Sequence, residues 1–209
     1  MATTTDPIGD RSLDVPRFGF GAGVADPGPL GLAGFASTTF FLSTVNAGLL
    51  PKSVTAVVLG LALFYGGVAQ LLAGMWEFVK GNTFGALAFS SFGGFWLSYW
   101  FLVAHVVGGL KADAGDISNA IGVFLLIWTI FTAYMTVAAT RVSLAVLAVF
   151  AALTLTFLFL TLGEFVDESF TKVGGWLGII TAIIAWYASF AAVTNATYKR
   201  VVLPVFPRV

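Results

Sequence analysis

Six apolar stretches fill most of the chain between residues 27 and 194, and each is about as long as a helix that crosses a bilayer. We place these stretches at 27–50, 53–79, 83–108, 118–138, 142–162 and 173–194. Charged residues make up 10% of the sequence, against about 25% in a typical soluble domain, so the chain cannot cover a water-exposed surface. The predicted fold class is an all-α membrane protein with six transmembrane helices per subunit.

Polar sequence at both ends divides the chain into two tails and a membrane domain. Residues 1–25 lack the apolar core of a signal peptide and are interpreted as a flexible N-terminal tail. Residues 26–198 form the six-helix domain, and residues 199–209 form a short C-terminal tail.

The distribution of lysine and arginine predicts the orientation, because these residues accumulate on the cytoplasmic side of a membrane. One side of the topology holds both tails and the loops after helices 2 and 4, with Arg11, Arg17, Lys80, Arg141, Lys199, Arg200 and Arg208. The other side holds Lys52, Lys111 and Lys172. We therefore expect both termini in the cytoplasm, in a multi-pass protein of the inner (plasma) membrane.

Missing residue types exclude several classes of protein. The sequence has no cysteine and one histidine, His105, so we expect no metal site, no disulfide and no bound cofactor. It has no basic run typical of nucleic-acid binding. It also has neither paired catalytic carboxylates nor a Ser/His pair, which argues against an enzyme. No Lys or Arg lies in the middle of a predicted span, so the interior suits small monovalent acids, or acids carried with a proton, rather than phosphates.

One face of helix 1 combines an aromatic ring with polar groups at membrane depth. Phe35, Thr39, Ser43 and Asn46 follow the i, i+4, i+8, i+11 spacing of a single helix face. We interpret this face as a wall of a narrow polar route, to which helix 3 adds Ser91 and helix 5 adds Thr154. Serine and threonine can also hydrogen-bond their own helix backbone, so for any single hydroxyl the structural alternative stays open.

Helix 2 carries two further polar residues, seven positions apart, at Gln70 and Glu77. A buried glutamine needs partners for its amide, which an interhelical hydrogen bond or a solute route would supply equally well. Glu77 is either a proton-carrying or a structural carboxylate, and in the structural case it would extend towards the membrane surface or pair with Lys80. A parallel series of glycines predicts close helix packing on the same helix: Gly60, Gly67, Gly74 and Gly81.

Two blocks of sequence resemble those of a known family. Residues 26–35, D-P-G-P-L-G-L-A-G-F, resemble the N-P-A-P-L-G-L-x-G-F signature of the acetate uptake transporters, also called succinate–acetate permeases. Residues 64–77, F-Y-G-G-V-A-Q-L-L-A-G-M-W-E, resemble their F-Y-G-G-x-A-Q-x-x-A-G-x-x-E block. The similarity continues at residues 80–85, 88–96, 175–178 and 200–204, and so covers nearly the whole membrane domain.

The resemblance implies a homo-hexamer in membrane lipid, with a route for acetate and related short carboxylates in each subunit. Family members are described both as proton-coupled carriers and as channels. By motif position, their constriction falls on Phe35, Phe92 and Leu153, and Tyr65 in the second block joins the expected pathway. The alternative function is a membrane sensor or scaffold that binds small carboxylic acids without transporting them.

Two departures from the family pattern affect the expected route. Asp26 stands where the family has Asn, which adds a negative charge near the mouth. Phe92 stands where the family has Tyr, which removes a hydroxyl from the constriction. A more apolar constriction should favour monocarboxylates over succinate.

Overall fold

The computed structural model describes residues 23–208, which fold into a bundle of six long helices. Their bounds are α1 Gly28–Asn46, α2 Lys52–Lys80, α3 Thr83–Gly109, α4 Ala114–Ala139, α5 Leu144–Phe165 and α6 Glu168–Tyr198. Helices α2 to α6 are long and apolar enough to span a membrane. Helix α1 is shorter, at 19 residues, and is not among these five. This architecture confirms the predicted all-α, six-helix membrane fold, while most of the expected N-terminal tail, residues 1–22, lies outside the described residues.

Two helices begin earlier in the chain than their apolar stretches predicted, because an Asp side chain caps the first turn of each. Asp113 accepts a hydrogen bond from the amide of Asp116 at 2.8 Å, so α4 begins at Ala114 rather than at residue 118. Asp167 accepts from the amide of Ser169 at 2.8 Å, so the expected loop 164–172 shrinks to two residues. An Asp side chain satisfies the free amides of a first turn, which lets each helix continue past the apolar core. Conversely, α1 ends at residue 46 rather than 50.

Helix α2 is irregular, and this changes the outcome for its glycines. It contains a π-helical segment, Phe64–Ala69, whose wider turn breaks the seven-residue register. Gly67 and Gly74 are buried against α3, where a Cβ on Gly74 would lie 2.5 Å from the amide nitrogen of Ser90. Gly60 and Gly81 face open space instead. The close packing predicted for the series is therefore present only in its middle.

Packing between helices encloses one interior face each of α1, α3 and α5. Helix α1 packs mainly on α6, α5 lies between α4 and α6, and α2 pairs with α3. Helices α3 and α4 have their backbones further apart and meet through aromatic side chains. Pairs of threonine hydroxyls join the helices at Thr129–Thr161, Thr136–Thr154 and Thr156–Thr181. Each hydroxyl has one proton, so within a pair one hydroxyl donates to the other, and the accepting hydroxyl donates to a carbonyl of its own helix. The hydrogen-bonding capacity of the pair is thereby satisfied in lipid.

Candidate functional site

A row of four cavities runs through the bundle between α1, α3 and α5. We call the end where α1 begins the tail side and the opposite end the far side. From the far side, the far vestibule holds about 320 Å³, the far pocket 30 Å³, the tail pocket 20 Å³ and the tail vestibule 200 Å³. Neighbouring cavities share wall residues, in order Leu42 and Asn46, then Phe35 and Leu153, then Leu32 and Phe150. The row therefore traces one route with a narrow middle.

The narrow middle is formed by three side chains from three helices. Phe35 of α1 and Leu153 of α5 each line both pockets. Phe92 of α3 lies beside them, with its ring centroid 5.6 Å from that of Phe35, and all three are buried. Phe92 also packs on Phe131 and Phe150, at centroid separations of 5.3 and 6.0 Å. The three residues that the resemblance implied as a constriction thus meet in the interior.

The far pocket has a polar wall. Thr39 and Ser43 of α1 are buried here, Asn46 lies at the junction with the far vestibule, and Thr156 of α5 faces the same space. The hydroxyl of Thr156 already donates to the carbonyl of Ala152. The hydroxyl oxygen of Thr39, by contrast, is buried without a hydrogen-bond partner. This wall therefore retains hydrogen-bonding capacity for a solute or for water.

The tail pocket differs, because Gln70 alone supplies a polar side chain to it. Its other lining residues carry hydrocarbon side chains: Leu32, Phe35, Ala88, Phe89, Phe92, Val149, Phe150 and Leu153. Gln70 is 1% exposed, and its Oε1 has no hydrogen-bond partner. Helix α2 places it there immediately after the π-helical segment.

Unpartnered buried polar atoms gather along this route. Within residues 23–208, four such side-chain atoms occur, on Thr39, Gln70, Ser90 and Trp96. Thr39, Gln70 and Trp96 all line one of the two pockets. A buried polar atom without a partner is costly, and each case needs an explanation such as a bound solute or water. Three of the four unpartnered atoms therefore belong to residues that line the route.

The tail vestibule contains the charged end of the route. Glu77, which is buried, accepts a hydrogen bond from the side-chain amide of Asn82 at 2.9 Å. Lys80 pairs with Asp26, at 3.3 Å, so of the two structural alternatives for Glu77 the pair with Lys80 does not form. The cause is Gly81, whose left-handed backbone (φ 73°) ends α2 and folds Asn82 back onto Glu77.

The C-terminal segment, residues 199–208, folds back across the tail vestibule. Val205 lines the cavity, and the carbonyls of Val205 and Phe206 accept hydrogen bonds from the first amides of α5, at Ala145 and Leu144. The side-chain oxygen of Asn195 accepts from the amides of Val202 and Leu203, at 2.7 and 3.0 Å. The segment that the sequence presented as a simple tail is therefore fixed to the helices beside the mouth.

Three expected pathway residues line none of the four cavities. Tyr65 lies in the π-helical segment, where its carbonyl contacts Gly34, and Ser91 is half-buried next to Phe92. Thr154 is hydrogen-bonded to Thr136 of α4 at 2.8 Å.

The sequence reasoning also missed part of the wall from α5. Thr156, Phe157 and Leu160 line the far pocket together with Leu153, which the resemblance had already indicated. Their spacing, i, i+3, i+4 and i+7 from Leu153, is that of one helix face. Thr154 is one position further along the helix, which rotates it by about 100° away from that face.

Comparison with known proteins identifies the family of this chain. The model of the GPR1/FUN34/yaaH family matches residues 21–208. The chain is 37% identical to the "Succinate-acetate/proton symporter SatP" of Escherichia coli K12, over 87% of this chain and 95% of that protein. It is 38% identical to "Acetate permease A" of Emericella nidulans, over 93% of this chain and 68% of that protein. It is 43% identical to "Ammonia transport outward protein 2" of Saccharomyces cerevisiae, over 88% of this chain.

Coverage differs between these relatives, since the chain spans 66% of the length of the Saccharomyces protein. The fold is similar to that of a solved structure described as the bacterial acetate channel SatP, with a TM-score of 0.81 and 35% identity. That similarity covers 87% of this chain and 99% of the other. The protein is a multi-pass membrane protein that belongs to the GPR1/FUN34/yaaH family.

Proposed function

We propose that this protein lets acetate and similar short monocarboxylates cross the membrane through the row of four cavities in each subunit. The observation that carries this proposal is the gathering of unpartnered buried polar atoms on both sides of the constriction. Relatives named as an acetate permease and as a succinate-acetate symporter, and a related fold described as an acetate channel, support the choice of solute. A transport role also fits the chain better than an enzymatic one.

The pockets favour small solutes with at most one charge. Among the residues that line them, none carries a charged side chain. A dicarboxylate such as succinate would lose the hydration of two carboxylates in pockets of 20–30 Å³, with no cation to compensate. Monocarboxylates are therefore the expected substrates, and succinate should cross more slowly.

The surroundings of each subunit follow from its apolar surface. Large apolar side chains are exposed along α2, α4 and α6, among them Trp76, Ile127 and Trp186. These surfaces suit lipid and neighbouring subunits, in a homo-hexamer of the plasma membrane. The excess of basic residues on the tail side supports cytoplasmic termini.

Uptake of labelled acetate into proteoliposomes tests the proposal. Wild-type protein should exceed protein-free vesicles, and propionate should compete better than succinate. Leu153→Trp, which fills the constriction, should reduce uptake at least tenfold. The matched control, Leu155→Trp, lies two residues further on the outer surface, where Leu155 is 45% exposed, and should leave uptake unchanged. Acetate binding without uptake by folded wild-type protein would instead favour a sensor.

A further inference from the structure

We propose that the far vestibule has a lateral opening into the membrane, between α3 and α4, and that vestibule and opening together bind a cationic amphiphile. A primary alkylamine in its charged form is the simplest such ligand. Its ammonium group would lie beside Glu164 in the vestibule, and its hydrocarbon chain would lie in the opening. Binding at this site does not depend on the proposed function, whereas its effect on acetate uptake does.

The opening is a groove of about 440 Å³ on the outer surface of the bundle. It is lined by Leu97, Ser98, Phe101 and Leu102 of α3 and by Phe124 of α4. Phe124 lies ten positions after Ala114, the first residue of α4, and so about 15 Å along the helix, within the hydrocarbon of the far leaflet. The hydroxyl of Ser98 donates to the carbonyl of Gly94 at 2.8 Å. The groove therefore presents hydrocarbon to the lipid, with its one hydroxyl already satisfied.

Two side chains connect this groove with the far vestibule, because Leu102 and Phe124 line both cavities. Closer to the constriction, aromatic rings close the space between α3 and α4: Phe95 packs on Trp128 and on Phe124, at centroid separations of 5.1 and 5.9 Å. Beyond Phe95, α3 changes to a π-helical segment at Leu102, and this segment has little backbone contact with α4. The two helices are thus closed beside the constriction and separated by side chains alone at the vestibule.

Glu164 supplies the only charged side chain among the residues that line the far vestibule. Its Oε2 accepts a hydrogen bond from the hydroxyl of Ser118 at 2.6 Å, which orients the carboxylate. Its Oε1 has no hydrogen-bond or ion-pair partner within residues 23–208. Asn46 and Thr171 line the same cavity and add an amide and a hydroxyl oxygen. An ammonium group has three donors and no acceptor, so these oxygens suit it.

Aromatic rings in the vestibule wall also favour a cation. Phe95, Tyr99 and Phe124 line the cavity, and the ring centroid of Phe95 is 6.4 Å from that of Tyr99. The faces of such rings attract cations. The rest of the wall is mainly aliphatic, which suits an alkylated ammonium better than a metal ion that needs several oxygen ligands. A carboxylate head group, by contrast, would be repelled by Glu164.

A ligand held in this way occupies the vestibule of about 320 Å³ and blocks that end of the route. It reaches the vestibule from the lipid, so its potency should rise with the length of chain that the groove accepts.

Inhibition of acetate uptake by alkylammonium ions in proteoliposomes tests the proposal. Octylammonium should inhibit wild-type protein at a concentration at least tenfold lower than butylammonium. Octanol, which has the same chain without the charge, should not inhibit at those concentrations. Binding of labelled octylammonium to protein in nanodiscs, with empty nanodiscs as background, measures the site without transport.

Two variants separate the head-group site from the groove. Glu164→Gln keeps the hydrogen bond from Ser118 and should raise the half-inhibitory concentration of octylammonium at least tenfold, relative to the variant's own uninhibited rate. Ser98→Trp fills the groove from outside and should make octylammonium no stronger an inhibitor than butylammonium. The matched control is Leu87→Trp, on α3 but away from the groove, where Leu87 is 41% exposed. It should keep the wild-type potencies of both ions.

Equal inhibition of wild type and Glu164→Gln by octylammonium would overturn the proposal. Equal potency of octylammonium and butylammonium on wild-type protein would also overturn it, and would indicate that a neighbouring subunit covers the groove. Octylammonium binding that Glu164→Gln abolishes, in a wild-type protein that takes up no acetate, would support this site and remove the proposed function.

Discussion

The two pockets beside the constriction are similar in size but differ in the number of polar side chains that line them. The far pocket, of about 30 Å³, has hydroxyl and amide groups on its α1 wall, including Thr39 and Ser43. The tail pocket, of about 20 Å³, is hydrocarbon except for Gln70. The two sides of the constriction therefore offer a passing solute different numbers of hydrogen-bonding groups. The difference comes from which helix contributes polar groups: α1 supplies several on the far side, and α2 supplies one on the tail side.

Gly93 should give the largest effect, because it allows α3 to approach the helix that carries Gln70. A Cβ at Gly93 would lie 2.7 Å from the backbone nitrogen of Leu71, and rigid backbone cannot yield as a side chain can. We expect Gly93→Val to lower the free energy of unfolding by about 1–3 kcal/mol, as overpacking does.

Thermal unfolding in detergent measures this effect, and uptake should fall with it as the tail pocket is distorted. Gly94→Val is the matched control, since a Cβ at Gly94 meets nothing within 4 Å. Equal stability of the two variants would contradict the close approach of α2 and α3.

Adjacent threonines of α1 separate packing from transport on the far side. Thr38 donates to the carbonyl of Gly34 at 2.9 Å, so Thr38→Val should cost about 0.5–1.5 kcal/mol of stability. Thr39 has no partner to lose, so Thr39→Val should leave stability unchanged and reduce acetate uptake several-fold. Unfolding curves and uptake rates of both variants check this. The unfolding curve should shift only in Thr38→Val, and Thr39→Val should lose uptake without a change in stability. Normal uptake by a stable Thr39→Val protein would remove the hydroxyl wall from the route.

Asn195 holds the C-terminal segment, whose Val205 lines the tail vestibule. Replacing Asn195 compares the vestibule with this segment fixed and with it released. Asn195→Ala removes three hydrogen bonds that hold this segment, including the one from its Nδ2 to the carbonyl of Leu203 at 2.8 Å. We expect residues 199–208 to become sensitive to protease and uptake to rise modestly. Tyr187→Phe, which loses one bond to the carbonyl of Pro204, should give a weaker version of the same change. Unchanged protease sensitivity would show that other contacts hold the segment.

The two ion pairs found among residues 23–208 should give the smallest effects, because exposed pairs contribute about 0–1 kcal/mol. Asp26 lines the tail vestibule, so Asp26→Asn leaves Lys80 as an unpaired cation near the mouth. Acetate uptake should rise up to about twofold at low salt and return to the wild-type rate at high salt. Glu168→Gln breaks the pair with Lys52 on the far side, where neither residue lines a cavity of the route. Glu168→Gln should leave acetate uptake unchanged. A larger change in uptake than that caused by Asp26→Asn would contradict the expectation that only the pair at the tail vestibule affects the route.

Local sequence patterns predicted the elements that depend on local physics. Six apolar stretches predicted six helices, because lipid requires backbone groups to be paired within each span. The face from Phe35 to Asn46 was found because helical periodicity alone aligns those residues. Helix ends at residues 114 and 168 were missed, since Asp113 and Asp167 extend the helices beyond the apolar limits.

Features that depend on tertiary packing were not predictable in the same way. Nothing in the spacing of Thr154 indicated that its partner would be Thr136 rather than a solute. The π-helical segment of α2 altered the register of Gly60 relative to Gly67, which a regular seven-residue count cannot include. The return of the C-terminal segment depends on Asn195 meeting backbone amides of Val202 and Leu203, a contact with no periodic signal.

Cysteine modification tests most directly whether solute passes through the row of cavities. The chain has no cysteine, so Asn46→Cys and Ala88→Cys each introduce a single thiol where a vestibule meets a pocket. Ser53→Cys, at the exposed start of α2, is the control. After reaction with a methanethiosulfonate reagent, acetate uptake should cease in the first two variants and persist in the third. Full modification of Asn46→Cys and Ala88→Cys, verified by mass, with undiminished acetate uptake would contradict passage through this interior.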